Sequence, residues 1–184
     1  YLLTGKNVLG ANDASGMFPL DGKAWDKERV DKYNELLSEQ GVNADITDLL
    51  PEVLVAGVNA GTLTEDGAKY LDPTGTLEAG AIMCPPEGDM GTGMICTNSV
   101  KPTTAQVSSG TAANMSVVLE KPLKKYYKQI DIIATPDGHP CALIHTNNCT
   151  SEINEWVDLF DEVIKLFGGN ISKDKLYTRL FNKA

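Results

Sequence analysis

The chain has 184 residues, of which 42% are hydrophobic and 22% charged, with a formal net charge of -9. That is enough apolar material for one or two globular domains with a packed core. The acidic balance argues against a nucleic-acid or anionic-membrane surface, both of which need clustered lysine or arginine, and no run approaches the roughly 18 apolar residues of a membrane span.

In chain order, Asn12 to Gly16 is rich in turn formers and reads as a loop feeding a short strand or turn at Met17-Phe18-Pro19-Leu20. Asp26 to Gln40 reads as a helix: Asp26 caps it, Val30, Tyr33, Leu36 and Leu37 form an apolar stripe, and Gly41 follows its end. Ile46 to Pro51 is a short helical turn closed by proline. Val53 to Thr64, with Gly57 and Gly61, predicts a strand with a turn. Thr64 to Leu71 predicts a short helix capped by Thr64, followed by a turn at Asp72-Pro73-Thr74-Gly75. Ala79 to Cys84 predicts a short buried strand, and Gly91 to Thr97 the start of a helix.

Two hairpins come next. Ala105–Ser109 and Asn114–Leu119 flank Gly110-Thr111, and Ile130–Thr135 and Cys141–Thr146 flank Pro136-Asp137-Gly138-His139-Pro140, where Asp-Gly is a strong hairpin signal. Ser151 to Phe167 predicts an amphipathic helix with Ile153, Trp156, Val157, Phe160, Val163, Ile164 and Phe167 inward, ended by Gly168-Gly169. Lys173 to Ala184 predicts a last helix with Leu176, Leu180 and Phe181 on one face. It has no glycine or proline stop, and the chain has no initiator Met, so a piece of a longer protein is expected. Strands followed by a long helix place the chain in the α/β class.

Chemistry concentrates at two motifs. Pro85-Pro86-Glu87-Gly88-Asp89-Met90-Gly91-Thr92-Gly93 puts Asp89 at a strand exit, where α/β proteins favour ligand sites. Asp89 is positioned either to accept a hydroxyl proton or to cap the helix that follows. Ser108-Ser109-Gly110-Thr111-Ala112 is either an ordinary turn or a tip whose amides and hydroxyls hold phosphate oxygens. It is not a P-loop, because no Gly-Lys-Ser/Thr follows. Two histidines, His139 and His145, are too few for a metal centre. The four cysteines, Cys84, Cys96, Cys141 and Cys149, match no zinc spacing; they read as buried reduced thiols, with two disulfides in a secreted protein as the alternative. The lysines between Lys121 and Lys128 read as a solvated loop or helix. Trp156 reads as core.

The order of motifs carries more than any one of them. Asn12 to Phe18, Trp25-Asp26, Leu50-Pro51 before Ala60-Gly61-Thr62-Leu63-Thr64, Glu87-Gly88-Asp89, Ser109-Gly110-Thr111 and Ser151 to Trp156 form a series that resembles the FGGY carbohydrate kinases, xylulokinase-like members above all. The resemblance covers essentially the whole chain. It implies a partial actin-like ATPase (ribonuclease H-like) fold, sheets flanked by helices, with residues 1–98 ending a first lobe and 99–184 beginning a second. It implies ATP and Mg2+, a ketose or related sugar or polyol as substrate, Asp89 as general base and as a contact to the sugar, and Ser109, Gly110 and Thr111 at the phosphates. A cytoplasmic location, with neither nucleic acid nor membrane as partner, is expected; a homodimer is compatible with the resemblance. Met90 and Ala112 depart from residues common in the family, and the first-lobe Asp-x-Gly-Thr motif is absent. Two alternatives stand beside the kinase: a non-catalytic ligand-binding or regulatory module on the same scaffold, and a nucleotide-dependent hydrolase in which Asp89 would activate water.

Overall fold

The computed structural model describes residues 1–184 as a mixed α/β chain. Strand β1 (Val8–Gly10) runs into helix α1 (Ala11–Met17). A two-residue hairpin of β2 (Leu20–Asp21) and β3 (Ala24–Trp25) leads to α2 (Lys27–Glu39), a 3-10 turn at Ile46–Asp48 and β4 (Glu52–Leu54). Helices α3 (Glu65–Leu71) and α4 (Asp89–Cys96) follow, then β5 (Ala105–Ser109), β6 (Ala113–Val118), β7 (Asp131–Ala134), β8 (Pro140–Thr146), α5 (Thr150–Leu166) and α6 (Lys173–Phe181). Two compact units are distinguishable, one comprising Tyr1–Gln106 with Ser116–Leu143, the other Val107–Met115 with Ile144–Ala184.

Much of this follows from local chemistry. The Asp26 side chain accepts from the Arg29 amide at 3.1 Å and Thr64 from the Gly67 amide at 3.0 Å, so both expected caps satisfy a free helix-start donor. Strands β1 and β4 pair in parallel, Leu9 opposite Val53, a geometry that requires the long crossover through α1 and α2. In the larger sheet the strand order is β5-β6-β8-β7. Strands β7 and β8 are antiparallel with Ile133 opposite Cys141, and Gly138 at φ 89° supplies the left-handed residue of their turn. Met94, Val118 and Cys141 form the core of the first unit, with Val100 and Ile133 packed against them. Burial pushes the Cys141 thiol up to about 11, so it behaves there as a small apolar residue.

In the second unit α5 and α6 are neighbours, with Val157 and Leu176 buried and Gly168 at φ 78° in the connection between them. Lys173 pairs with Asp158, and Lys165 holds the buried carboxylate of Asp161 at 2.6 Å.

Four expectations need correction. Asn12 to Gly16 is helix, not loop: Asn12 Nδ2 donates to the Ala134 carbonyl at 2.7 Å, and Ser15 Oγ accepts from the Ala134 amide at 2.8 Å. These distant bonds outweigh the turn preference of Asn, Asp, Ser and Gly. Ala79 to Cys84 is neither a full strand nor buried. It makes one bridge, Thr62 to Ile82, has 60–63 as its pairing partner, and leaves Ile82 72% exposed. The α2 and α5 stripes have the predicted period, but within this chain only Val30 and Val157 are fully buried, and Trp156 is 56% exposed. Finally, all four cysteines are free, but Cys84 and Cys96 are exposed and only Cys141 is buried.

Candidate functional site

The segment before α4 is fixed to the β1–α1 corner by close backbone approach. The Gly10 amide donates to the Pro86 carbonyl at 2.9 Å, and a Cβ on Gly10 would lie 2.6 Å from that oxygen. The Glu87 carboxylate fills the same space and meets the amides of Asn12 and Asp13, each at 3.4 Å. These are two of the donors that a helix start leaves free. Gly88 and Gly91 are equally confined: a Cβ on Gly88 would stand 2.7 Å from Asp13 Oδ1, and one on Gly91 3.0 Å from Glu87 Oε2 and 3.1 Å from Asn12 Oδ1. Burial pushes the Glu87 carboxyl above its usual range; the Asn12 and Asp13 amides pull it back, and the Asp13 charge adds to the rise.

That knot sets the start of α4. Gly88, in extended conformation, is the N-cap, so Asp89 is the first helical residue and not the cap. Asp89 is exposed. An exposed carboxylate on a tightly packed corner can take a proton from a hydroxyl brought within hydrogen-bond reach. Met90, next along, faces inward, where its sulfur accepts from the buried Ser116 hydroxyl at 3.8 Å. The departure at position 90 therefore has a packing role.

The other motif lies in the second unit. Ser109, Gly110 and Thr111 are exposed at the tip joining β5 to β6, a connection short enough to require an antiparallel pair. The Gly110 amide donates inside the turn, to the Ala112 carbonyl at 2.8 Å. The Gly110 carbonyl accepts from the Thr150 amide at 3.1 Å and the Thr150 hydroxyl at 2.7 Å. The Thr111 carbonyl accepts from Ser151 Oγ at 3.2 Å. The turn thus supplies acceptors to the first residues of α5, whose N-cap, Cys149, has no side-chain cap bond.

Asp89 and the turn therefore belong to different compact units, each held by its own neighbours. The bonding roles of Glu87, Thr150 and Ser151 were not read from the sequence. Their partners lie 75, 40 and 40 positions away, beyond the reach of any local pattern. Toward ATP the tip fits in part, with two exposed hydroxyl residues and a glycine that leaves space, although the Gly110 amide is engaged. Toward magnesium no group of three or more His, Cys, Asp or Glu side chains is assembled. The ion would come with phosphate oxygens and its own waters, as suits a small hard cation. No helix is long and apolar enough to cross a membrane.

No protein-family model matches the chain, and no curated protein matches it. Solved structures do. A protein described as a xyloylose kinase from Brucella ovis superposes with TM-score 0.62 at 21% identity, over 91% of this chain and 31% of its own. A ligand-bound xylulose kinase from Lactobacillus acidophilus gives 0.59 at 18% identity, over 83% of this chain and 29% of its own. A gluconate kinase from Lactobacillus acidophilus gives 0.61 at 18% identity, over 83% and 28%. The chain thus has the α/β fold of these sugar kinases, which is the actin-like ATPase fold, and spans about a third of their length.

Proposed function

We propose that this chain is a segment of an ATP-dependent carbohydrate kinase of the FGGY family. Residues 1–98 would close its first lobe and 99–184 open its second. Its substrate would be a hydroxyl of a ketose such as xylulose, or of a related sugar or polyol. The observation that carries the reading is Asp89: an exposed carboxylate, fixed on a glycine-packed corner, in a chain with the fold of sugar kinases.

In this reading ATP, with magnesium, supplies the phosphoryl group. Asp89 contacts the sugar and takes the proton from its hydroxyl as that oxygen becomes nucleophilic. Glu87, through Gly88, keeps that carboxylate on its corner. Ser109 and Thr111 offer hydroxyls to phosphate oxygens, and Gly110 offers close approach. Positioning of this kind supplies most of the catalysis in phosphoryl transfer.

The test is a screen of ketoses and polyols for stimulated ADP release by the complete protein that carries this segment. One pentulose or hexulose is expected to stimulate. With that sugar, Asp89→Ala is expected to lower turnover by about 10²–10⁴-fold, the usual worth of a general base, while nucleotide affinity stays within a few fold. Turnover within tenfold of the parent would remove Asp89 from this role. Nucleotide binding without stimulation by any sugar would favour the regulatory module, and sugar-independent phosphate release the hydrolase.

A further inference from the structure

We propose that Thr150 and Ser151 are positioning residues for the Ser109-Gly110-Thr111 turn, orienting its backbone amides toward a phosphate group. The inference rests on the reading of that turn as a phosphate contact, and both parts of it lie within one compact unit.

A carbonyl oxygen has two lone pairs. At Gly110 both are taken, one by the Thr150 amide at 3.1 Å and one by the Thr150 hydroxyl at 2.7 Å. At Thr111 the carbonyl takes the Ser151 hydroxyl at 3.2 Å. A peptide unit is planar, and none here is cis. In a trans unit the C=O of one residue and the N–H of the next point in opposite directions. Directing the Gly110 and Thr111 carbonyls at the start of α5 therefore directs the Thr111 and Ala112 amides away from it.

The Gly110 amide is already used within the turn, at the Ala112 carbonyl. The tip consequently has two successive amides, of Thr111 and Ala112, turned to one side. Successive amides of this kind make an anion-binding concavity. The same geometry explains why position 112 can be alanine: its backbone, and not a hydroxyl, makes the contact. It also gives the turn and the start of α5 a shared function, since each satisfies polar groups that the other leaves free.

The experiment uses the complete protein that carries this segment, 15N-labelled at threonine and alanine, with ADP as the probe. Binding is followed at the Thr111 and Ala112 amides by NMR, and folding by thermal melting. The variants are Ser151→Ala, Thr150→Val and Thr150→Ser; the serine keeps the hydroxyl, and Ser151→Ala removes a single exposed contact if the valine variant fails to fold. ADP is expected to shift both amides in the parent. Thr150→Val should weaken ADP about tenfold, Ser151→Ala about threefold, and Thr150→Ser should remain within threefold of the parent. Shifts at both amides with unchanged ADP affinity in folded Thr150→Val or Ser151→Ala would overturn the positioning role and leave the phosphate reading standing. Absence of any ADP-dependent shift at Thr111 and Ala112 in the parent would overturn both.

Discussion

A glycine is required where φ is left-handed or where a Cβ has no room. Gly10, Gly88 and Gly91 meet the second condition through Glu87, Pro86, Asp13 and Asn12. Gly110 meets neither. Its φ lies outside the left-handed region, and a Cβ there would meet the Ala112 carbonyl at 3.7 Å, an ordinary contact. Nothing inside the chain calls for a glycine at that exposed tip. If Gly110 serves phosphate binding, the demand comes from a group outside the chain. Gly110→Ala therefore separates the two roles. Folding stability should stay within about 0.5 kcal/mol of the parent or rise slightly, since the methyl group restricts the unfolded chain without a clash. The KM for ATP of the complete protein should rise at least tenfold while that for the sugar stays put. Denaturant unfolding and steady-state kinetics read these directly. An unchanged KM for ATP would make the glycine incidental and weaken the phosphate reading.

Among elements, α4 rests on two glycines with different surroundings. Gly91 faces Glu87 Oε2 at 3.0 Å and Asn12 Oδ1 at 3.1 Å from its would-be Cβ, and both groups are held by bonds of their own. Gly93 faces Gln106 Nε2 at 2.7 Å, the end of a flexible side chain whose Oε1 has no partner. Alanine gains about 1 kcal/mol over glycine inside a helix, while overpacking costs about 1–3 kcal/mol. Gly91→Ala should therefore range from neutral to destabilising by about 2 kcal/mol net. Gly93→Ala should be neutral to about 1 kcal/mol stabilising, because Gln106 can swing aside. Urea midpoints compare the two, and equal effects would mean that the Glu87 corner yields as easily as a free side chain. The same contrast marks what the sequence made legible. The caps of α2 and α3, the Asp-Gly turn and the period of α5 depend on neighbours within a few positions, and all were readable. Helix α1 was misread because its support, Ala134, is over a hundred positions away. At the candidate site the motif order singles out Asp89 and the 109–111 turn as candidates. The groups that hold them, Glu87, Thr150 and Ser151, follow from packing alone.

For the molecule as a whole, two opposed forces decide how it behaves in solution. The α5 face presents Ile153, Trp156, Phe160 and Val163 to solvent, each at least 40% exposed, with Phe167 beyond its end at 84%. Burying such a face against a second copy is favourable in proportion to the apolar area removed from water. Charge works against it. The chain carries -9, and α5 itself holds Glu152, Glu155, Asp158, Asp161 and Glu162 against the single Lys165. Repulsion between such surfaces is screened over about 10 Å at 0.1 M salt but only about 3 Å at 1 M, whereas the apolar term does not depend on screening. Self-association of this chain should therefore increase with salt, the reverse of an interface held by ion pairs. Sedimentation velocity at 0.1 M and 1 M sodium chloride should show a concentration-dependent shift to larger species only at the higher salt. Trp156→Glu with Phe160→Glu should abolish that shift without lowering the melting temperature, because both side chains are already exposed. A monomer at both salts would mean that the exposed α5 residues are too dispersed to act as one face. Association that weakened with salt would place the contact at charged groups instead.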